Sequence, residues 1–154
     1  MKRIEDEALQ ALDANELSRR LASQELSSSE VTTAYLEAIE RRNPVLNCYT
    51  HVDARGAREA AAASDQRRRQ SRALGPLDGV PLAVKDNIGV RGLPHTAGVR
   101  HRRREVAQQD AAIVRRLRST GAVILGLTNM DEAAFGAATA NPWTGSTDNP
   151  HRPG

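Results

Sequence analysis

Two short apolar runs with a helical segment between them constrain the fold of this chain most. Residues 80–84 form the first run, directly after a loop rich in glycine and proline, and residues 123–125 form the second. The intervening segment carries an apolar stripe at helical spacing, made of Ile113, Val114 and Leu117. A strand, a crossover helix and a second strand predict two buried parallel strands, and therefore an α/β fold.

The first half of the chain is predicted to be mainly helical. Ser27 and Glu30 have the spacing of a capping box, so a helix should begin there. Asn43-Pro44 is expected to stop that helix. A short strand is predicted over residues 48–52, and a helix with a solvated charged face over residues 54–72. Residues 89–109 are expected to be irregular because glycine and proline interrupt them repeatedly.

The use of lysine is the sharpest compositional signal. The chain contains twenty arginines but only two lysines, Lys2 and Lys85. Lys85 follows the first apolar run, and the ends of strands in α/β proteins commonly carry functional groups. Burial there would favour a neutral amine, which can act as a general base, whereas arginine keeps its proton. The alternative is a lysine that reaches solvent or pairs with Asp86.

Polar residues also follow the second apolar run, and parallel strands would bring them to the same edge as Lys85. Asp131 and Glu132 can be interpreted as an acid–base pair, as metal ligands, or as caps of a helix from Ala133 onward, which we favour. Asp110 is expected to cap the helix between the two strands. The four histidines have no metal-binding spacing, so no metal site is predicted.

Composition excludes several classes of protein. The single cysteine, Cys48, cannot form a disulfide within the chain, and a small core residue is a better interpretation than a nucleophile. No apolar run is long enough to span a bilayer and no signal peptide is evident, which favours a cytoplasmic location. Arginine clusters at residues 67–69 and 102–104 can bind phosphates, but solvated surface is favoured because no nucleic-acid motif accompanies them.

Two long ungapped stretches resemble the amidase signature family. GPLDGVPLAVKDNI, over residues 75–88, is similar to the lysine motif of that family, and GAVILGLTNMDE, over residues 121–132, is similar to a second block. The resemblance extends from about Asn15 to the end of the chain. Leu127 and Val99 depart from the pattern, since many members have lysine and serine at those positions.

The resemblance implies a single α/β/α domain around a large mixed sheet. It also implies an amidohydrolase that uses a serine, a second serine in a cis peptide and a lysine, with no metal or organic cofactor. Lys85 matches the catalytic lysine, and Met130 is implied on the substrate side. Residues 1–154 are therefore expected to be the N-terminal part of one amidase domain, ending before the glycine- and serine-rich segment that carries both serines.

The full enzyme is expected to bind a small-molecule amide as its substrate. No membrane is expected as a partner, and assembly into a homo-oligomer stays open. Residues 1–154 alone are expected to be inactive. Two alternatives stay open at this point. The chain can belong to the A subunit of an aminoacyl-tRNA amidotransferase, which would bring in nucleic acid, or it can be a non-enzymatic arginine-rich interaction module.

Overall fold

The computed structural model describes residue 9 and residues 11–151. Lys2 lies outside these residues. The described helices are α1 (Ala14–Ala22), α2 (Ser28–Leu46), α3 (Ala54–Arg69) and α4 (Ala112–Ser119), with 3₁₀ turns at Arg100–Arg102 and Glu132–Ala134. The strands are β1 (Tyr49–Val52), β2 (Pro81–Lys85), β3 (Val123–Thr128), β4 (Ala140–Asn141) and β5 (Gly145–Ser146). In this part of the chain, no helix has the length and apolar character needed to cross a membrane.

Three strands form a mixed sheet in the order β1-β3-β2. Strand β1 runs antiparallel to β3, with Val52 opposite Gly126. The N–H of Val123 donates to the carbonyl of Val80 at 2.9 Å, and the N–H of Asp86 donates to that of Thr128 at 3.3 Å. Residue numbers rise together along this pair, so β2 and β3 are parallel. The α/β class, the mixed sheet and the parallel pair are therefore confirmed.

The two predicted strands differ in burial. Strand β3 is buried along almost its whole length, as expected for the central strand. The expectation of a buried first strand is wrong, because β2 lies at the sheet edge and exposes Ala83 and Lys85. Val84 is buried between them, so β2 alternates as a strand with one covered face does.

The chain divides into two compact units, and the described part of the first comprises residue 9 and residues 11–38, 54–82 and 116–125. Its core is aliphatic and contains Leu9, Leu17, Leu21, Leu26, Val31, Ala34 and Val80. Leucine and valine fill this core because the chain has only four aromatic side chains. Helix α1 contributes Leu17 and Leu21, which lie one turn apart on its buried face.

Two sets of acceptors hold the start of α2. Ser27 and Glu30 form the predicted capping box: the N–H of Ser27 donates to the Glu30 carboxylate at 2.9 Å, and the N–H of Glu30 donates to Oγ of Ser27 at 3.1 Å. The Asp65 carboxylate, from α3, accepts from the backbone N–H groups of Ser28 and Ser29 at 2.7 and 3.1 Å. A distant acidic side chain therefore satisfies amides that a helix start leaves without partners.

The arginine cluster at residues 67–69 is more than solvated surface. Arg67 forms a bidentate pair with the fully buried Asp78, at 2.6 and 3.0 Å, and Arg68 donates to the Asp78 carbonyl. Gly121 adopts a φ of +78° beside this pair, and a Cβ there would clash with an Asp78 carboxylate oxygen. The solvated interpretation is thus wrong for Arg67 and Arg68, while Arg69 is exposed.

The described part of the second unit comprises residues 39–53, 83–115 and 126–151. Within it, α2 continues past Pro44 to Leu46, so the predicted stop at Asn43-Pro44 is wrong. Proline lacks the N–H that would donate to the carbonyl four residues back, so the helix loses that bond at Pro44 and ends two residues later. Asn47, with a φ of +50°, ends the helix instead. The Asn43 side chain then accepts from the N–H of Tyr49 at 2.7 Å and leads the chain into β1.

The predictions around α4 are confirmed in part. Residues 89–109 are irregular apart from the short 3₁₀ turn and one isolated antiparallel bridge between Pro94 and Val106. Val114 is buried, but Ile113 is 49% exposed, so the predicted apolar stripe is narrower than expected. Asp110 accepts from the N–H of Arg91 at 2.7 Å, which ties the preceding loop to the start of α4.

The Arg67–Asp78 pair gives a test of stability in the first unit. Burial alone would raise the pKa of Asp78, but the Arg67 guanidinium and the N–H of Leu74 outweigh burial and hold that pKa below its usual value. The pair therefore stabilises the fold above the unfolded-state pKa of about 4, and this contribution is lost as pH falls through the lower folded-state pKa.

We expect Arg67→Ala to lower the free energy of unfolding by about 3 kcal/mol at pH 7, because it leaves a buried carboxylate uncompensated. The loss should shrink at pH 3. Urea unfolding followed by circular dichroism measures both values. Arg69→Ala is the matched control and should change stability by less than about 0.5 kcal/mol. Equal losses in the two variants would show that the pair does not stabilise the unit.

Candidate active site

Lys85 is the last residue of β2 and lies in the second unit. Its side chain is exposed, so the burial expected for this lysine is not found in this chain. Ala83, two residues earlier on the same strand, is exposed as well, whereas Val84 and Asp86 are buried. The alternation of the strand therefore presents the Lys85 amine to the open side of the sheet edge.

Asp86 fixes the backbone directly after Lys85. Its carboxylate is 1% exposed and accepts from the Thr96 N–H at 3.0 Å and from the Thr96 hydroxyl. Its own N–H donates to the Thr128 carbonyl, and its carbonyl accepts from the N–H of Ala97 at 3.3 Å. The residue after Lys85 is therefore held by a strand neighbour and by the loop around Thr96. We call this set of bonds the Asp86 clamp.

The predicted meeting of the two strand ends is confirmed by the bond between Asp86 and Thr128. Asn129, the next residue of the second motif, is buried. Its Nδ2 donates to the carbonyls of Asn47 and Gly145 at 3.2 and 3.0 Å. Its Oδ1 accepts from the Thr144 hydroxyl at 2.7 Å and from the N–H of Met130 at 2.9 Å. One amide thus joins the end of β3 to two loops.

Asn141 performs a similar role from the β4–β5 hairpin. Its Nδ2 donates to the carbonyls of Gly98 and Met130 at 2.8 and 3.0 Å, and its Oδ1 accepts from the N–H groups of Trp143 and Thr144. Gly98 has a φ of +69°, and a Cβ there would lie 2.7 Å from Nδ2 of Asn141. Glycine is therefore required where the loop approaches the buried amide.

Asp131 binds backbone amides of its own loop. Its carboxylate accepts from the N–H groups of Ala140 and Thr139 at 2.9 and 3.0 Å. The Ala140 hydrogen bond is the main reason that the pKa of Asp131 lies below its ordinary value; partial desolvation opposes it, and the Thr139 bond and the charge of Lys85 reinforce it.

The favoured capping role of Asp131 and Glu132 is wrong. The segment after them is a single 3₁₀ turn, Glu132–Ala134, with left-handed φ values of +52° at Ala133 and +65° at Ala134, and Asp131 makes no side-chain capping bond to it. The metal alternative also gains no support: within residues 11–151, no group of three His, Cys, Asp or Glu side chains could hold a metal ion.

Met130 is 1% exposed, so its side chain packs inside the second unit. Its implied place on the substrate side stays a prediction. Cys48 is half-buried and its Sγ lies 3.4 Å from Oδ1 of Asn43, while burial raises the pKa of its thiol. A raised thiol pKa disfavours the reactive thiolate, which agrees with the structural interpretation of Cys48.

Sequence reasoning missed Thr96 and Asn141, although both organise this site. Thr96 stands in a glycine- and proline-interrupted segment, and Asn141 precedes a proline, so each has the local signature of an ordinary turn residue. Their importance comes from partners ten or more residues away, and no spacing rule connects those partners.

Known proteins resemble this chain in both sequence and fold. The model of the amidase family matches residues 30–154. The A subunit of a glutamyl-tRNA(Gln) amidotransferase from Salinispora arenicola is 46% identical over 142 residues, which are 92% of this chain and 29% of that protein. The native peptide amidase from Stenotrophomonas maltophilia superimposes with a TM-score of 0.83 at 35% identity, covering 92% of this chain and 30% of that one.

A third similarity is to a protein from a vestigial complex that bears on the evolutionary origins of an s-triazine catabolic enzyme. The two chains superimpose with a TM-score of 0.89 at 37% identity. The match covers 93% of this chain and 32% of that protein. The chain belongs to the amidase family. It spans less than a third of the length of these relatives.

The Asp86 clamp gives a stability prediction for the site. Thr96→Val keeps the shape of the side chain but removes the hydroxyl that donates to a buried carboxylate. We expect the free energy of unfolding to fall by about 1–3 kcal/mol, the penalty of an unsatisfied buried acceptor. Chemical denaturation measures the change. Thr33→Val, on the half-buried face of α2, is the control, and a similar loss there would contradict a specific role for Thr96.

Proposed function

We propose that this chain supplies the general base of an amidohydrolase that acts through a Ser–cis-Ser–Lys triad on small carboxamides or related C–N bonds. The observation that carries the proposal is the position of Lys85, whose exposed amine stands at the carboxyl end of β2. The next residue is Asp86, which the hydrogen bonds of the Asp86 clamp hold in place. The chain has twenty arginines, which keep their protons, whereas the amine of Lys85 can give up and regain one.

In the proposed reaction, the neutral Lys85 amine accepts a proton from the cis serine, which accepts the proton of the nucleophilic serine. The nucleophile attacks the amide carbonyl, the C–N bond breaks, and the amine leaves with a proton as an acyl-enzyme forms. Water then releases the acid. Neither serine has a matching position in residues 1–154, so both are proposed to belong to the length of the relatives that this chain does not span.

The second candidate is the A subunit of an aminoacyl-tRNA amidotransferase. The observation that favours it is the 46% identity to the corresponding chain of a glutamyl-tRNA(Gln) amidotransferase. In that role the acyl-enzyme chemistry would release ammonia for transfer, and a charged tRNA would be a partner. Lys85 would serve both candidates as the same base, so only the fate of the released nitrogen separates them.

The remaining expectations stay predictions: a small-molecule amide as substrate, a cytoplasmic location and a homo-oligomer. The interaction-module alternative is weakened because Arg67 and Arg68 bind Asp78 within the first unit. Arg102 likewise pairs with Glu105 at 2.8 Å. These contacts give the arginines structural partners and leave a smaller basic surface for phosphates.

Residues 1–154 alone should show no turnover of a chromogenic anilide or of a simple carboxamide. The reason is that a lysine without a nucleophile cannot form an acyl-enzyme. Product release is followed by absorbance or by ammonia detection. Hydrolysis that disappears in Lys85→Ala would contradict the proposal, whereas hydrolysis that survives this change would indicate a contaminant.

A fusion tests Lys85 directly. Residues 1–154 would be joined to the part of the Salinispora arenicola amidotransferase chain that extends beyond the matched region. In the active fusion, Lys85→Arg should reduce amide hydrolysis by about 10²–10⁴-fold, because arginine keeps its proton. Lys2→Arg, at the other lysine of the chain, is the matched control and should retain full activity.

Retained activity in Lys85→Arg would exclude Lys85 as the base. The same fusion separates the two candidate functions when it is assembled with the rest of the amidotransferase and given glutamine and misacylated tRNA. Transfer of nitrogen to the tRNA would favour the second candidate, and release of free ammonia without transfer would favour the first.

A further inference from the structure

A cavity of about 360 Å³ lies within the second unit. Apart from the Asp86 clamp, the proposed chemistry assigns no role to the residues that line it. The residues that matter for its chemistry are Tyr49, Asp86, Thr96, Arg103 and Trp143. This volume is in the range of sites for small ligands. Lys85 does not line it, which agrees with the alternation of side chains along β2.

The carboxylate of Asp86 is the buried charged group at this cavity. Its hydrogen bonds come from the N–H and the hydroxyl of Thr96, and no arginine or lysine of the described residues forms an ion pair with it. A carboxylate offers about four acceptor positions, so two donors leave it with remaining capacity. A buried carboxylate that no cation neutralises is costly, and a cationic ligand would relieve that cost.

Two aromatic residues line the same cavity. Tyr49 and Trp143 are half of the four aromatic residues in the chain. Aromatic faces attract cations, most strongly when the cation is poorly hydrated, as alkylated ammonium groups are. Aromatic rings together with a buried carboxylate are the set of groups that recognises an organic ammonium ion.

Arg103 is the cationic side chain that lines the cavity, and it is exposed. Its guanidinium repels a second cation and is itself a cation that aromatic rings and carboxylates attract. Arg103 therefore weakens the binding of a cationic ligand. Its charge repels the ligand, and its guanidinium competes with the ligand for the same carboxylate and rings. An anionic ligand, in contrast, would need Arg103.

We propose that this cavity is a binding site for a small organic cation of the alkylated ammonium class, held by Asp86 and by the rings of Tyr49 and Trp143. The site is separate from the amine of Lys85, and its occupation does not depend on the proposed hydrolase activity. A ligand there would contact Thr96 and Asp86 and would therefore reinforce the clamp behind Lys85.

Trp143 is the single tryptophan of the chain, so its fluorescence reports on this cavity alone. Residues 1–154 would be titrated with choline at constant ionic strength. The matched ligand is 3,3-dimethyl-1-butanol, which has the shape of choline without its charge. We expect a saturable fluorescence change with choline and none with the neutral alcohol.

Asp86→Asn should weaken choline binding at least about tenfold, since it removes the charge and keeps the shape. Arg103→Gln should strengthen binding by roughly fivefold, and it keeps the test valid if Asp86→Asn does not fold. Asp148→Asn, elsewhere in the second unit, should leave binding unchanged. Equal responses to both ligands, or benzoate binding that disappears in Arg103→Gln, would overturn the proposal in favour of an apolar or an anion site.

Discussion

The clamp on Asp86 is the interaction on which the second unit depends. A buried carboxylate here accepts from the backbone and the side chain of a single threonine, while the peptide groups of Asp86 bond to the end of β3 and to the loop after Thr96. Without Thr96, the carboxylate would be buried with no donor, a situation that proteins avoid. The orientation of β2 at its last residue, and so the position of the Lys85 backbone, follows from satisfying that one group.

Two buried side-chain amides hold the loops by hydrogen bonds in the same way. Asn129 and Asn141 together bind backbone groups from several segments that have no regular structure, and their donors and acceptors are all used. Irregular backbone leaves many of its groups outside the regular pairing of helices and strands, so polar side chains complete part of its hydrogen bonding. This explains how a region with two-residue strands and a 3₁₀ turn can still place strand ends accurately.

The sequence predicted what depends on local pattern. The capping box at Ser27 and Glu30, the burial of β3 and the meeting of the two strand ends follow from periodicity and short-range chemistry. Burial of Lys85 and a helix after Asp131 were wrong for a common reason. Each depends on neighbours from elsewhere: β2 lies at an edge, and the Asp131 carboxylate binds the amides of Thr139 and Ala140 instead of the first turn of a helix.

The exposure of Lys85 separates two requirements of a lysine base. Geometry is one: the strand end and the Asp86 clamp fix the backbone from which the amine projects. A dry environment is the other, because only desolvation makes the neutral amine favourable near neutral pH. Residues 1–154 meet the first requirement but leave the amine in contact with solvent. Under the proposed function, the second requirement must be met by the longer part of the amidase fold, together with both serines. Under that proposal, the strand end positions the base, and a part of the amidase fold that this chain does not span supplies its activation.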